Sequence, residues 1–291
     1  MNIDNREKEI EKPEPLRNGL YIIATPIGNL RDITIRALDA LKAADLVICE
    51  DTRVTGKLLK AYNITAKLQT YNDHSSDDNR AAIVDKIMGG KSVALVSDAG
   101  MPVVSDPGYK LVNACQQAGA YITTLPGANA PLSALQLSGM PSDRFSFIGF
   151  LPPKTMARKK VLAEWANVKT TLMTFETAPR LLAALKDIRD ALGAREVAVV
   201  REITKMFEEV KRDNVAGLIE YYEQEGPPKG EIVLVIGPPI DSEIGEGAIE
   251  EMVKEALSDM KVKDAAHYVA EKAGRKKSDM YDLALKIKKG L

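Results

Sequence analysis

Several residue types that enzymes use for metal binding or nucleophilic catalysis are scarce in this sequence of 291 residues. It contains two His and two Cys, and these residues show no metal-ligand spacing. A catalytic system built on a histidine-activated nucleophile is therefore not expected. No run approaches the ~20 apolar residues of a membrane-spanning helix. The absence of both G-x-G-x-x-G and P-loop motifs argues against an NAD enzyme or a nucleoside triphosphatase.

Charge of one sign is also lacking, because 40 Lys and Arg stand against 41 Asp and Glu. Any RNA contact would therefore depend on local basic patches. The two cysteines, Cys49 and Cys115, lie in apolar segments far apart, which predicts buried free thiols in a reducing cytoplasm. The charged, proline-bearing start of the chain lacks the apolar core of a signal peptide. We therefore expect a cytoplasmic protein.

Short β-rich apolar runs alternate with amphipathic segments of helix length along most of the chain. This alternation predicts an α/β fold with mainly parallel or mixed sheets covered by helices on both faces. The predicted strands are Leu20–Thr25, Leu46–Glu50, Lys67–Tyr71, Val93–Ser97, Tyr121–Leu125, Phe145–Phe150, Thr171–Phe175, Val197–Arg201 and Ile232–Ile236. The predicted helices between them are Asp32–Ala44, Thr55–Tyr62, Asp78–Met88, Tyr109–Ala118, Met156–Ala166, Arg180–Leu192 and Asn214–Gln224.

Turn-rich and acidic stretches divide this pattern into four segments. Residues 1–18 are expected to form a disordered lead-in, followed by a first αβα domain over residues 19–138. The turn-rich stretch Ser138–Asp143 separates it from a second αβα domain over residues 139–240. Gly237–Pro239 and the acidic residues Asp241–Glu246 then precede a small helical module over residues 241–291.

Three of the predicted strands are followed by loops of small residues, namely Ala24–Leu30, Ser97–Gly108 and Leu125–Ala130. Open α/β sheets bind ligands at the carboxyl ends of their strands, and small residues let the backbone approach a ligand. We therefore expect these loops to form one extended cofactor groove, in which Asp98 holds a hydroxyl or amine group. Asp106 fits at least as well as a helix cap. Glu50–Arg53 follows another strand and is typical of a helix N-cap with a surface ion pair.

These motifs resemble the tetrapyrrole-methylase-like (class III) methyltransferases, which use S-adenosylmethionine. Within that superfamily they are similar to the branch that methylates a cytidine 2′-hydroxyl of small-subunit ribosomal RNA. The motifs that carry the resemblance are Ala24–Leu30, Glu50–Arg53, Ser97–Pro102, Ser105–Gly108, Pro141–Phe145, Gly149–Pro152, Arg201–Lys205 with Glu208, and Lys229–Glu231. The resemblance covers roughly Gly19 to Pro238, and the helical tail is similar to the C-terminal module of that branch.

The resemblance implies two αβα domains with S-adenosylmethionine in the cleft between them, no metal, and a homodimer that acts on 16S rRNA of the 30S subunit near the decoding site. It also implies a set of residues around the cofactor. These are Thr25, Pro26, Ile27, Gly28, Asn29, Ser97, Asp98, Ala99, Gly100, Pro126, Gly127, Ala128, Asn129 and Ala130. Phe175 and Glu176 are expected to close the site from the second domain.

Three positions depart from the family pattern. Met101 stands where the family usually has Thr, and Ala128–Asn129 replaces the usual Pro-Ser. Pro179 takes the place of a His that commonly precedes the residue at Arg180. The first two departures are expected to alter loop contacts while leaving cofactor binding intact. The third argues either against an essential role for that histidine or against full activity of this protein.

Methyl transfer to a ribose hydroxyl needs a group that accepts or orients the hydroxyl proton. The acidic candidates are Glu50, Asp51, Asp98 and Glu176. Asp98 is better suited to cofactor binding because its loop is rich in small residues. We therefore expect Asp51 or Glu176 in the acceptor pocket, with Arg53 neutralising a phosphate or fixing a carboxylate.

RNA binding requires local positive charge, and two groups of basic residues can supply it. The first follows Pro152-Pro153, and the second precedes the last predicted helix. Their members are Lys154, Arg158, Lys159 and Lys160 in the first group, and Lys272, Arg275, Lys276 and Lys277 in the second. The first group is equally compatible with a solvated helix face. The second lies in a helix–turn–helix pattern, Ala265–Ala273 followed by Lys277–Lys288, which either docks RNA or serves only for packing.

Two other functions remain open at this point. One keeps the fold and cofactor but acts on a tetrapyrrole or another small molecule. The other is a catalytically impaired RNA-binding or ribosome-assembly protein, which the departures at Met101 and Pro179 suggest. Binding of S-adenosylmethionine separates the second from an enzyme, and the identity of the methylated acceptor separates the first.

Overall fold

The computed structural model describes residues 15–72, 75–239, 246–273 and 275–290. The chain divides into a larger body that ends at Pro239 and a second body over residues 240–291. Most of the predicted lead-in and nearly all of the acidic linker lie outside the described residues.

The first half of the larger body contains a five-stranded parallel sheet in the order β3-β2-β4-β1-β5. Its strands are β1 (Gly19–Ile23), β2 (Leu46–Cys49), β3 (Leu68–Thr70), β4 (Ser92–Val96) and β5 (Ile122–Leu125). Its helices are α1 (Ile35–Ala43), α2 (Thr52–Ala61), α3 (Asp77–Met88) and α4 (Tyr109–Gln117). The chain proceeds from β1 towards one edge and from β4 towards the other, so these neighbours flank the topological switch point where such sheets bind ligands.

Both cysteines of this half are free and buried, as the sequence predicted. Cys49 ends β2 and packs in the cluster that includes Ile23 and Leu41. Cys115 lies on α4 and packs against Leu20 in a separate cluster.

The second half contains a mixed sheet in the order β6-β7-β10-β8-β9, in which only β6 and β7 are parallel. Its strands are β6 (Phe145–Phe150), β7 (Thr171–Thr177), β8 (Glu196–Arg201), β9 (Glu209–Asn214) and β10 (Glu231–Ile236). One face packs against α6 (Thr155–Ala163), α7 (Leu181–Leu192) and α8 (Val215–Glu225). The edge strand β9 is absent from the sequence prediction, because its residues are mostly polar.

Helix α5 (Ala130–Ser138) joins the two halves. It begins directly after the loop that leaves the first sheet, yet its buried residues Ala134 and Leu135 pack with Met173 and Val200 of the second sheet. The loop before α5 therefore lies where the two sheets meet. This packing explains why the two predicted αβα domains form one body, although their boundaries stay a prediction.

The second body contains α9 (Glu246–Asp259), α10 (Val262–Ala273) and α11 (Lys277–Gly290). Val253, Val269 and Met280, one from each helix, are buried in a shared apolar cluster. Helices α10 and α11 correspond to the predicted helix–turn–helix pair. Among the helices of the described residues, none has both the length and the apolar character that crossing a membrane requires.

Candidate active site

The loops after β1 and β4 are tied together by backbone hydrogen bonds at the switch point. Thr25 N donates to Gly100 O at 2.8 Å, and Gly100 N donates to Thr25 O at 3.0 Å. The hydroxyl of Thr25 donates to Ser97 O at 3.2 Å. Gly100 has a φ of 78°, a left-handed conformation that favours glycine. These contacts bring two of the three predicted loops into one structure.

The loop after β5 packs against the other two. A Cβ atom added to Gly127 would lie 3.0 Å from Ala24 Cβ, closer than most Cβ contacts, so the two loops approach each other tightly at this glycine. The side chain of Asn129 caps α5 by accepting a hydrogen bond from Leu132 N at 2.9 Å. Its amide Nδ2 also donates to Met101 Sδ at 3.2 Å. Two of the departures from the family pattern are therefore in direct contact.

A cavity of about 620 Å³ opens between these loops and the second sheet. The predicted site residues that line it are Ile27, Ala99, Gly100, Asn129, Ala130, Phe175 and Glu176. The lining residues outside the predicted set are Met101, Val104, Ser105, Asp106, Pro131, Phe150, Thr177, Ala178, Pro179, Ile203, Gly230, Glu231, Ile232 and Val233. Both halves of the larger body thus contribute, and the volume lies in the range of small-molecule sites.

The remaining predicted cofactor residues lie beside the cavity rather than in its wall. They are Thr25, Pro26, Gly28, Asn29, Ser97, Asp98, Pro126, Gly127 and Ala128. Gly28 faces the second half, where an added Cβ would lie 2.5 Å from Lys205 Cγ. Asn29 caps a short 3-10 turn by accepting a hydrogen bond from Arg31 N. These residues shape and support the loops whose neighbours face the cavity.

Glu176 is the predicted catalytic residue that the structure places in the cavity wall. It lies near the end of β7 and is 2% exposed. Thr177 N donates to its Oε1 at 2.7 Å, and Arg180 Nε lies 3.1 Å from the same oxygen. Arg180 also donates to Leu151 O at 2.5 Å. The carboxylate is therefore held in one orientation by a charged partner and a backbone amide.

Asp106 is a cavity residue for which the sequence favoured a capping role. It does not cap a helix, because α4 begins after Gly108 without a side-chain cap. Burial, followed by the negative charge of Glu50, raises the pKa of Asp106 to about 6, although a hydrogen bond with Ser97 opposes the shift. In the sequence, the motif Ser105–Gly108 is the one signal that placed Asp106 near the site. Glu50, the neighbouring charge that raises its pKa most, follows a different strand, β2.

Asp51 and Arg53 do not line the cavity. Asp51 caps α2 and accepts a hydrogen bond from Arg53 N at 2.8 Å. Its carboxylate also pairs with the Arg53 guanidinium at 2.7 Å. The hydrogen bonds from Arg53 lower the pKa of Asp51 to about 2, which makes it a weak base. This geometry favours the helix-cap interpretation over the catalytic one.

The first basic group separates into buried and exposed members. Arg158 is 2% exposed and pairs with Asp187 at 2.6 Å, an environment that does not favour the prediction that it contacts RNA. Lys159 is half-buried and pairs with Asp190 at 2.7 Å. Lys154 and Lys160 are exposed. The spacing of charged residues along a helix does not show which of them faces the core. Here Arg158 faces the core because it pairs with the buried carboxylate of Asp187.

The second basic group lies in the three-helix body. Lys272, Arg275, Lys276 and Lys277 are all exposed, around the connection between α10 and α11. Lys277 Nζ lies 2.6 Å from His267 Nε2. Gly274 lies outside the described residues, so the predicted turn itself is not characterised. The four cations are nevertheless grouped within six residues of sequence.

The loop after β8 forms one side of the cavity through Ile203. Its neighbours Glu202 and Thr204 have positive φ values of 51° and 65°. Lys205 Nζ holds this loop by contacts of 2.9 Å to both Glu202 Oε1 and Glu231 Oε2. Glu231 thus belongs to a network that borders the cavity. In the part of the chain that the structure describes, no cluster of His, Cys, Asp or Glu is suited to hold a metal ion.

Comparison with known proteins identifies the family to which this chain belongs. The profile of the tetrapyrrole (corrin/porphyrin) methylases matches residues 19–219, and a profile described as the RsmI C-terminal HTH domain matches residues 243–288. A ribosomal RNA small subunit methyltransferase I from Erythrobacter litoralis is 51% identical over 94% of this chain and 97% of its own. The chain belongs to the methyltransferase I family. A second member, from Rickettsia prowazekii, is 45% identical over 84% of this chain and 86% of its own.

A solved structure shows the same fold outside this family. The uroporphyrin-III C-methyltransferase from Thermus thermophilus, complexed with S-adenyl homocysteine, is 18% identical and has a TM-score of 0.52, covering 75% of this chain and 97% of its own. Together these comparisons confirm the predicted fold class and the predicted methyltransferase activity. Of the departures from the family pattern, Met101, Asn129 and Pro179 all line the cavity.

Proposed function

We propose that this protein transfers a methyl group from S-adenosylmethionine to the ribose 2′-hydroxyl of a cytidine in 16S rRNA, near the decoding site. The observation that carries the proposal is the cavity shared by three loops of the first sheet and the strand ends of the second. The names of the methyltransferase I relatives support the ribosomal substrate. We further propose that the enzyme is a cytoplasmic homodimer.

The cavity has the chemistry that S-adenosylmethionine requires. Ile27, Phe175 and Ile203 provide apolar and aromatic wall for the adenine ring. The carboxyl group of Asp106 lies on the same wall and favours a positively charged ligand when ionised. S-adenosylmethionine supplies an electrophilic methyl group on a cationic sulfur. The residues present therefore fit the cofactor.

Glu176 is positioned to handle the acceptor hydroxyl. Arg180 and Thr177 N hold the Glu176 carboxylate in one orientation. The carboxylate can therefore accept a hydrogen bond from a hydroxyl without first changing its rotamer. This contact would orient the oxygen for attack on the methyl carbon. As the new oxygen–carbon bond forms, the carbon–sulfur bond of S-adenosylmethionine would break, S-adenosylhomocysteine would leave, and the hydroxyl proton would pass to the Glu176 carboxylate. Arg180 lies next to this carboxylate and keeps it in position. Asp51 and Arg53 stay predicted catalytic residues that the geometry does not favour.

The exposed basic residues supply the local positive charge that RNA binding needs. Lys154 and Lys160 lie on and just before α6, and Arg275, Lys276 and Lys277 lie in the three-helix body. Contacts with phosphates position an RNA and make its affinity depend on salt. We propose that these side chains bind the RNA backbone, while the cavity holds the nucleotide to be methylated.

Two measurements test the enzyme and its acceptor. Calorimetry should show S-adenosylmethionine binding, and radiolabelled methyl groups should enter 30S subunits, with mass spectrometry locating the label on a cytidine ribose of 16S rRNA. Replacing Glu176 with Gln should leave cofactor affinity nearly unchanged and reduce turnover by about 100-fold or more. Naked rRNA and a tetrapyrrole serve as alternative acceptors. Label in the tetrapyrrole and none in 30S subunits would refute the proposed substrate.

The RNA-binding role of the three-helix body has its own test. Alanine at Arg275, Lys276 and Lys277 should weaken 30S binding and reduce its salt dependence, since each phosphate contact contributes to that dependence. The matched control replaces Lys254, Lys261 and Lys263, which are exposed in the same body. Equal effects of the two triple variants would show that only the net charge matters.

A further inference from the structure

Strand β6 contains an irregularity at its cavity end. Phe147 pairs with Met173 and Phe150 pairs with Phe175, so three steps along β6 match two steps along β7. The extra residue is a β-bulge, and Gly149 within it has a φ of 67°. The hydroxyl of Thr174 donates to Gly149 O at 2.7 Å, which satisfies a carbonyl at the irregular position.

The bulge changes the face on which Phe150 lies. In a regular strand Phe150 would share the face of Ile148, which packs against the helices of the second half. Instead the Phe150 ring lies 5.1 Å from the Phe175 ring, and the Phe147 ring lies 4.9 Å from the same ring. The extra residue therefore moves Phe150 to the cavity side of the sheet, as bulges near active sites do.

Phe150 remains open to solvent in this position. It is 57% exposed, although Phe147 and Phe175 are partly buried in the core beneath it. Exposing an aromatic ring gives up the stabilisation that its burial would bring. Three features occur together here: a glycine in the left-handed region, an interrupted strand and an exposed aromatic ring. None of them adds much to the stability of the folded protein. Their common result is an aromatic face at the rim of the cavity that contains Glu176.

We propose that Phe150 is a positioning residue that stacks against the base of the nucleotide to be methylated. The inference rests on the proposed function, because it assumes an RNA acceptor. A polynucleotide is too large to enter the cavity, so it can present only one unstacked nucleotide through the mouth. Aromatic side chains bind such bases by stacking, independently of base identity. The stacked base then places its ribose next to Glu176.

The position of Phe150 favours the acceptor over the methyl donor as its ligand. The donor needs an enclosed wall, and Ile27, Phe175 and Ile203 are each partly or fully buried. The acceptor must arrive and leave at every turnover, and only the rim is open to it. An exposed ring on the second sheet is therefore reached first by the RNA.

Three substitutions at one position test this inference, with methyl transfer to 30S subunits and calorimetry of S-adenosylmethionine as readouts. Phe150→Ala should reduce kcat/KM for 30S subunits roughly 5- to 150-fold, the range expected for the loss of one base stack. Its cofactor affinity should stay within about two-fold of the original. Phe150→Tyr should keep kcat/KM near the original value because it retains the aromatic ring. Phe150→Leu should lower kcat/KM because it lacks the ring. Phe145→Ala is the control, because Phe145 is an exposed ring on the same strand away from the cavity wall.

The outcomes separate this inference from the proposed function. If the unsubstituted enzyme fails to methylate 30S subunits, the proposed function is refuted. If the unsubstituted enzyme methylates 30S subunits but Phe150→Ala or Phe150→Leu is equally active, base stacking is refuted. A parallel loss of cofactor affinity and turnover in Phe150→Ala would instead place this ring in the donor site and overturn the inference.

Discussion

Replacing Arg158 with Met tests whether this side chain stabilises the second half of the larger body. Its Nε donates to Asp187 Oδ2 at 2.7 Å, and the two side chains are only 2% and 7% exposed. Arg158 also lies within 3.5 Å of the carbonyl oxygens of Pro152 and Pro153. Methionine keeps much of the volume but removes the charge and the donors. Asp187 would then be left as a buried carboxylate without its main partner.

The size of the effect follows from this burial. Removing one partner of a buried ion pair costs about 3–5 kcal/mol. Lys159 Nζ lies 3.7 Å from Asp187 Oδ1 and retains part of the compensating charge. We therefore expect the lower end, about 3 kcal/mol, in the free energy of unfolding. For a body of this size that corresponds to a decrease in Tm of about 6–12 °C.

Equilibrium unfolding in urea, followed by fluorescence, measures this change. Trp165 is the single tryptophan of the chain and packs against the core of the second half. Lys159→Met is the control and should cost less than about 1 kcal/mol, because that ion pair is partly exposed. The double variant Arg158→Met with Asp187→Leu should recover most of the loss.

Two results would refute this reasoning. One is a loss below about 1 kcal/mol for Arg158→Met, and the other is a double variant that is less stable than the single one. Below its Tm, Arg158→Met should also methylate 30S subunits normally. Unchanged stability with lost methylation would mean that Arg158 contacts RNA after all.

Two further predictions concern the walls of the cavity. Because burial and the charge of Glu50 raise the pKa of Asp106 to about 6, its carboxyl becomes ionised as the pH rises through that value. S-adenosylmethionine should therefore bind more tightly at about pH 7.5 than at about pH 5.5 in calorimetry. S-adenosylhomocysteine, which lacks the sulfonium charge, should change less, and equal pH profiles would contradict the prediction. Gly230→Ala should lower the free energy of unfolding by about 1–3 kcal/mol and weaken cofactor binding, since Gly230 has a φ of 95° and its new Cβ would lie 2.3 Å from Glu202 Oε1. The control Gly226→Ala, with a φ of 79° and no atom within 4 Å, should cost less in urea unfolding; equal losses would show that the Glu202 contact is irrelevant.

Strands with apolar runs could be predicted from the sequence, whereas the polar edge strand β9 could not. β4 and β10 consist of continuous or nearly continuous apolar runs, which is typical of strands covered on both faces. β9 (Glu209–Asn214) has a single apolar residue and forms because it pairs with β8. Ion pairs between the neighbouring side chains, such as Arg201 with Glu209 at 2.6 Å, reinforce that pairing. Such support depends on the partner strand and leaves no periodic signal.

The loops of the site could be predicted, whereas the environments of individual charges could not. Glycine and small residues after β1, β4 and β5 indicated the groove, since parallel strands end at one edge of a sheet. Whether a charged residue faces a cavity, solvent or another charge depends on segments far away in sequence. Arg158 finds Asp187 on a different helix, and Asp106 acquires its pKa from burial near Glu50. A single sequence contains no record of such contacts.

The packing of α5 bears on how the enzyme selects its acceptor. Ala134 and Leu135 are buried against strands of the second sheet, while the loop that precedes them belongs to the first. A shared core of this kind resists hinge motion, because opening it would expose apolar surface to water. The spacing between the two walls of the cavity is then a property of the fold. Acceptor selection in this protein would accordingly depend on rim side chains such as Phe150, rather than on closure of one half upon the other.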